Sequence, residues 1–211
     1  MEKTMNDRKT ALVITGGYCN VEAVKNLLPE SVDLKIAADS GYMTAQKLGI
    51  TPDITMGDFD SYKDKLPPEM KTLRVACEKD VTDTMLACEY AKDNGCRYIT
   101  IVGGTGGRID HSISNLFYLE DLRRQGIRVK LTDGDNTVQV ILDETVTVKA
   151  DGGYFSIFAL DKCTVTEYGC KYPLNSATLV RQRPYAVSNE VEGDYSVIKI
   201  DGAALLVTSK R

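Results

Sequence analysis

The hydrophobic rhythm of the chain changes about two-thirds of the way along. Short apolar runs at 11–16, 34–38, 54–57, 73–76, 98–102 and 129–132 alternate with stretches of helical periodicity at 20–28, 40–48, 82–94 and 112–125. Runs that are apolar at nearly every position suit strands covered on both faces, and their alternation with helices suits parallel pairing. The first part therefore reads as an α/β domain, an open, doubly wound and mostly parallel sheet. The turn-forming cluster Thr132-Asp133-Gly134-Asp135-Asn136 ends this pattern. Beyond it no helical period survives. Seven short segments at 137–142, 145–150, 154–160, 163–167, 177–180, 195–200 and 204–208 are separated by Gly, Asp, Asn and Pro. They predict a small all-β sandwich or barrel. The expected domains are 1–134 and 135–211. The second, of about 75 residues, is small enough to need packing against the first or against a second subunit.

Composition narrows the class. With 43% hydrophobic and 27% charged residues, the 211-residue chain resembles an ordinary globular protein, and no apolar run approaches the ~20 residues of a membrane span. The first ten residues are polar and lack the apolar core of a secretory leader, so the expected location is the cytoplasm. A net charge of −4 without a Lys or Arg run favours small molecules over nucleic acid as partners. The six cysteines, Cys19, Cys77, Cys88, Cys96, Cys163 and Cys170, form no C-x-x-C pair and only one histidine accompanies them. Structural zinc is disfavoured, and the thiols read as small core residues.

Candidate chemistry gathers where predicted strands run out. Asp39, Asp58, Asp60, Asp80, Asp83 and Asp110 all follow apolar runs, with Lys79, Arg108 and His111 close by. An open parallel sheet binds ligands outside the carboxyl ends of its strands, so four separate segments would deliver charge to one edge. Two carboxylates ~4 Å apart repel by roughly 4 kcal/mol at an effective dielectric of ~20. A divalent cation offsets that cost, and Mg²⁺ is commonly held by one or two carboxylates plus substrate phosphates. Any one of these aspartates alone is also an ordinary cap or surface residue; their shared placement singles out the set.

Asp83 carries the finer expectation. Leu86, Ala87 and Tyr90 follow it by three, four and seven residues, so it should share the helix face that turns toward the sheet. Asp80 or Thr82 is the better N-cap. The segment Gly103-Gly104-Thr105-Gly106-Gly107-Arg108-Ile109-Asp110-His111 then joins a strand to a helix through four glycines. Such a loop lets backbone amides approach an anion, the following helix offers its positive end, and Arg108 can fork onto phosphate. It is neither a Walker A loop nor a dinucleotide fingerprint, since Ile109 takes the third-glycine position. His111 suits packing or capping as well as chemistry, and no G-x-S-x-G elbow supports a serine nucleophile.

Taken in order, these segments resemble the bacterial form of thiamine pyrophosphokinase. The resemblance rests on Ala38-Asp39-Ser40-Gly41, Gly57-Asp58-Phe59-Asp60-Ser61, Lys79-Asp80-Val81-Thr82-Asp83 and Gly106-Gly107-Arg108-Ile109-Asp110-His111. Gly169-Cys170-Lys171-Tyr172-Pro173-Leu174 and Ser188-Asn189-Glu190 add shorter signatures in the second domain. The resemblance implies a homodimer that uses ATP and Mg²⁺ to convert thiamine to thiamine diphosphate, releasing AMP. A β-domain, partly from the neighbouring subunit, would help to hold thiamine. It further implies Asp58, Asp60 and Asp83 as metal and catalytic carboxylates. Asp39, Lys79, Thr82, Gly106, Gly107, Arg108, Asp110 and His111 would lie at the nucleotide end, and Tyr172, Ser188 and Asn189 at the thiamine end. Some family members stack thiamine on a tryptophan, and this chain has none. Tyr168, Tyr172 and Tyr185 are candidate replacements through a cation–π contact.

Two other readings stay open at this point. Asp58-Phe59-Asp60 imitates the D-x-D loop of haloacid dehalogenase phosphohydrolases, although Tyr62 stands where Thr or Val is expected. A nucleotide- or thiamine-binding module without turnover would keep the same ligand residues.

Overall fold

The computed structural model describes residues 9–57, 66–67, 69–74 and 81–211; Asp58, Asp60, Ser61, Lys79 and Asp80 lie outside the described residues. The chain divides into two compact units, Met1–Gly134 and Asp135–Arg211.

In the first unit the described strands are β1 (Lys9–Ile14), β2 (Leu34–Ala38), β3 (Ile54–Gly57), β4 (Thr72–Arg74), β5 (Cys96–Val102) and β6 (Arg128–Thr132). The helices are α1 (Val21–Lys25), α2 (Gly41–Leu48), α3 (Asp83–Asp93) and α4 (Ile109–Arg124). All strand pairs are parallel, in the order β4-β3-β2-β1-β5-β6. The apolar runs behave as their composition dictates: Val13, Ile14, Ile36, Ala37 and Val102 are wholly buried. Leu12 and Ile14 of β1 meet Val24 of α1 and Ala45 and Leu48 of α2, while α3 packs across β1, β2, β3 and β5. Each of the Val, Leu and Ile side chains contributes ~1.5 to 3 kcal/mol by leaving water.

Helix ends decide where polar groups point. The Thr82 hydroxyl accepts from the Met85 amide at 3.2 Å and caps α3, a contact worth ~1 kcal/mol. Helix α4 begins three residues earlier than its periodicity suggests, so Asp110 and His111 belong to its first turn and not to the preceding loop. The early turns escape the periodicity because Ile109 and Ile113 are apolar yet exposed. An acid there is favoured by the positive helix end.

The second unit replaces the seven expected short strands with four. These are β7 (Asn136–Lys149), β8 (Tyr154–Tyr168), β9 (Ala177–Val180) and β10 (Tyr195–Ser209), antiparallel in the order β7-β10-β8-β9. Three of the expected breaks, near 143–144, 161–162 and 201–203, are β-bulges inside continuous strands. Asp143 and Gly202 take positive φ angles of 48° and 107°, the Gly202 amide donates to Asp143 Oδ1 at 2.7 Å, and β10 shifts register at this point against both neighbours. Turn-type residues serve bulges as well, because both need left-handed backbone. Phe155, Ile157, Val165, Ile198, Ile200 and Leu206 form the core of this unit. No helix among the described residues is long and apolar enough to cross a membrane.

Candidate active site

Strand order in the first unit turns back at β1: β2, β3 and β4 lie to one side of it, β5 and β6 to the other. The chain leaving β1 runs on toward β2 and the chain leaving β5 toward β6, on opposite sides of this reversal, which opens a crevice at the carboxyl ends of the strands. A cleft of about 770 Å³ occupies this place, lined by residues 15–18, 38–40, 81–84, 103–108, His111 and Asn115. Its size falls within the ~300–1,000 Å³ range of small-molecule sites.

Six of the residues lining the cleft are glycine, so backbone forms part of its wall. A Cβ on Gly17 would stand 1.8 Å from the Gly103 carbonyl oxygen, so the loops after β1 and β5 can touch only because that residue is glycine. The Tyr18 amide donates to the Thr105 carbonyl at 3.1 Å across the same seam. Gly106 and Gly107 follow with φ of 80° and 69°, a turn that delivers the chain to the start of α4. Buried side chains brace the loop. Asn115 of α4 donates to the Gly104 carbonyl at 2.8 Å, and the Thr105 hydroxyl donates to the buried Asp133 carboxylate at 2.6 Å.

Of the expected nucleotide-end residues, Asp39, Thr82, Gly106, Gly107, Arg108 and His111 line this cleft, as does Asp83 of the expected metal set. Asp39 sits directly after β2 with φ of 47°. A non-glycine residue there costs ~1–3 kcal/mol, and such strain clusters at functional positions. Asp83 is half-buried in the first turn of α3. Asp110 is not among the lining residues. Its carboxylate takes both arms of the Arg108 guanidinium, Nε at 3.2 Å, and that pairing holds its pKa below the usual carboxylate range. The pair is largely exposed and screened by water, so Arg108 can exchange it for a phosphate at little cost. Asp39 and Asp83 offer hard oxygen donors suited to Mg²⁺ completed by substrate phosphates.

The loop 15–18, Asn115 and Asp133 escaped the sequence reading. The pair Gly16-Gly17 after the first apolar run was the available signal. Asn115 carried none, since a buried amide inside a helix looks like any polar position.

In the second unit, Tyr172 is exposed, as are Tyr168 and Tyr185. Ser188 is exposed with φ of 57°. Asn189 turns inward and is 5% exposed, with its carboxamide bonded to the backbone of Tyr172 and Glu190 and to Glu167. Burial pushes the Glu167 carboxyl up to about 7, and the Asn189 bond only partly opposes it.

Comparison with known proteins places this arrangement. Residues 25–131 match the family model of the thiamin pyrophosphokinase catalytic domain, and residues 137–205 match that of the thiamin pyrophosphokinase vitamin B1 binding domain. The chain belongs to the thiamine pyrophosphokinase family. It is 30% identical to thiamine pyrophosphokinase of Bacillus subtilis over 95% of this chain and 99% of the relative. The crystal structure of the Bacillus subtilis thiamine pyrophosphokinase superposes with a TM-score of 0.86 at 27% identity, covering 96% of this chain and all of that one. The thiamin pyrophosphokinase of Geobacillus thermodenitrificans gives 0.81 at 26% identity, covering 96% and 98%. The Candida albicans thiamin pyrophosphokinase, 14% identical over 97% of this chain and 90% of that one, shares the fold with a TM-score of 0.75. The thiamine pyrophosphokinase assignment disfavours both the dehalogenase-type hydrolase and the silent binding module.

Proposed function

We infer that the protein transfers the pyrophosphoryl group of ATP to the hydroxyl of thiamine, giving thiamine diphosphate and AMP. The observation that carries the reading is one cleft, at the reversal of strand order, that joins Asp39, Asp83 and the Gly106-Gly107-Arg108 turn opening α4. Transfer of this kind depends mostly on positioning and on neutralising phosphate charge. The α4 amino terminus and Arg108 receive phosphate oxygens, and Thr82 fixes the α3 end from which Asp83 projects. Asp83, with Asp58 and Asp60, would hold Mg²⁺, supported by Asp39. When bound, the ion supplies charge neutralisation on the phosphates. One of Asp58 and Asp60 accepts the proton of the attacking hydroxyl. Lys79, Asp110 and His111 complete the nucleotide end.

The first unit, residues 1–134, takes ATP, and the second, residues 135–211, takes thiamine through Ser188 and an exposed tyrosine such as Tyr172. The bulges that bend β7, β8 and β10 support a small sandwich for this unit. A homodimer is the assembly we favour, because Ile109, Ile113 and Phe117, four residues apart on α4, leave an apolar stripe 71%, 45% and 65% exposed. The cytoplasm, where ATP is abundant, is the place of work we favour.

The test is AMP formation by the purified protein. It should require thiamine, ATP and Mg²⁺ together, with thiamine diphosphate appearing in equal amount. Steady phosphate release from phosphomonoesters without thiamine would instead support the dehalogenase reading.

A further inference from the structure

The second unit holds a buried carboxyl that the transfer chemistry leaves unused. Glu167, near the end of β8, is 2% exposed. Its Oε2 accepts from Asn189 Nδ2 at 3.1 Å, and Cys170 Sγ lies 4.0 Å from the same oxygen. Asn189 has nothing left to offer a ligand. Its Oδ1 accepts from the Tyr172 and Glu190 amides at 3.1 and 2.9 Å, and its Nδ2 donates to the Tyr172 carbonyl at 3.0 Å as well as to Glu167. A carboxamide has two donors and two acceptor lone pairs, so all four are used. The two backbone amides fix which end is oxygen, and Glu167 must then face the nitrogen.

The backbone of Asn189 is equally committed, exchanging both bonds with Phe155 at 2.9 Å. The residue thus ties the start of β8 to the turn that carries Tyr172. Immediately before it, Ser188 is forced into left-handed backbone with φ of 57° and its amide donates to Ser156 Oγ at 3.0 Å. Ser188 remains exposed, and no described residue bonds its hydroxyl. A non-glycine residue keeps that conformation only where its surroundings over-determine it.

We propose that Glu167 is a positioning residue for the acceptor substrate: through Asn189 it locks the 186–192 segment so that the Ser188 hydroxyl and the Tyr172 ring meet thiamine in fixed register. The carboxyl works as a hydrogen-bond acceptor in a dry site, and its charge has no part in the role. The inference rests on the thiamine pyrophosphokinase reading and assigns to Asn189 a holding role, leaving contact with substrate to Ser188.

Steady-state kinetics of three variants of the full chain test it. Glu167→Met keeps the volume, adds no unpaired charge and removes the acceptor; it should raise the KM for thiamine about tenfold while the KM for ATP stays within about twofold. Glu167→Gln retains an oxygen for Asn189 and should restore the thiamine KM to within about threefold of the parent. Ser188→Ala, at an exposed position without folding risk, should by itself raise the thiamine KM, and combining it with Glu167→Met should add less than the sum of the two effects. An unchanged thiamine KM in Ser188→Ala overturns the proposal. So does an equal loss for thiamine and ATP in a folded Glu167→Met, or failure of Gln to restore. An inactive parent protein would sink the activity reading itself, a result distinct from any of these.

Discussion

The two units place polar groups by opposite means. In the first, the cleft is shaped by backbone: Gly17 against Gly103, left-handed Asp39, and paired positive φ angles at Gly106 and Gly107. Asp83, Arg108 and His111 line the cleft within that frame. In the second, the exposed Ser188 and Tyr172 are held from below by side chains, with Asn189 and Ser196 satisfying backbone groups inside the unit and Glu167 bonding the Asn189 carboxamide. A backbone-built site can exchange its charged residues without disturbing its core. A site built on a buried side-chain network cannot, because each unpaired member costs more than the bond was worth.

The largest effect should come from separating chemistry from stability in the first unit. Asp83→Asn keeps the size and the cap, since Thr82 and not Asp83 holds the Met85 amide in the first turn of α3. Turnover should fall at least about a hundredfold, as when a group that stabilises transferring charge is removed. Thermal melting should move by no more than a few degrees, because Thr82 keeps its bond to the Met85 amide and the helix keeps its cap. Near-normal AMP formation by a folded Asp83→Asn protein would break the assigned role.

How much of this contrast was legible beforehand follows from the same difference. Backbone-built features announce themselves as Gly and Asp after apolar runs, so strands 34–38 and 54–57 and the cleft residues Asp39, Asp83, Gly106, Gly107 and Arg108 could be read directly. Side-chain networks have no such sign. Nothing in the spacing of Glu167 and Asn189 shows that they meet, since the pair is made by folding 22 residues back on themselves. The β7, β8 and β10 strands were misread for a related reason. Asp143 and Gly202 carry the chemistry of turns, and only cross-strand pairing shows that the chain continues straight through them.

Asn115 sharpens the comparison, as it is the place where the first unit borrows the method of the second. It is 6% exposed and its amide supports the Gly104 carbonyl. Asn115→Ala should therefore move stability and function together, unlike Asp83→Asn. The lost bond and the freed carbonyl predict ~1–2 kcal/mol of destabilisation, seen as a melting point lower by a few degrees. A slackened loop should also raise the KM for ATP several-fold with little change for thiamine. Loss of stability with unchanged ATP affinity would mean that the glycine loop holds its shape without this brace.

The smallest effect is a slope with pH, and it belongs to the second unit alone. Burial raises the Glu167 carboxyl from an ordinary 4.5 to about 7, so the folded protein binds that proton more tightly than the unfolded chain does. The stabilisation from this group is complete below pH 4.5 and is lost as pH rises through about 7. Beyond that point a charge sits in a dry site, with Asn189 donating to it and the Cys170 thiol beside it. Melting temperature should thus decline by a few degrees between weakly acidic and weakly alkaline buffers. Glu167→Gln, which cannot ionise, should flatten this part of the profile and melt above the parent on the alkaline side. Parallel profiles for the two proteins would show that Glu167 meets water freely, and the buried network would then lose its claim to hold Ser188 by exclusion of solvent.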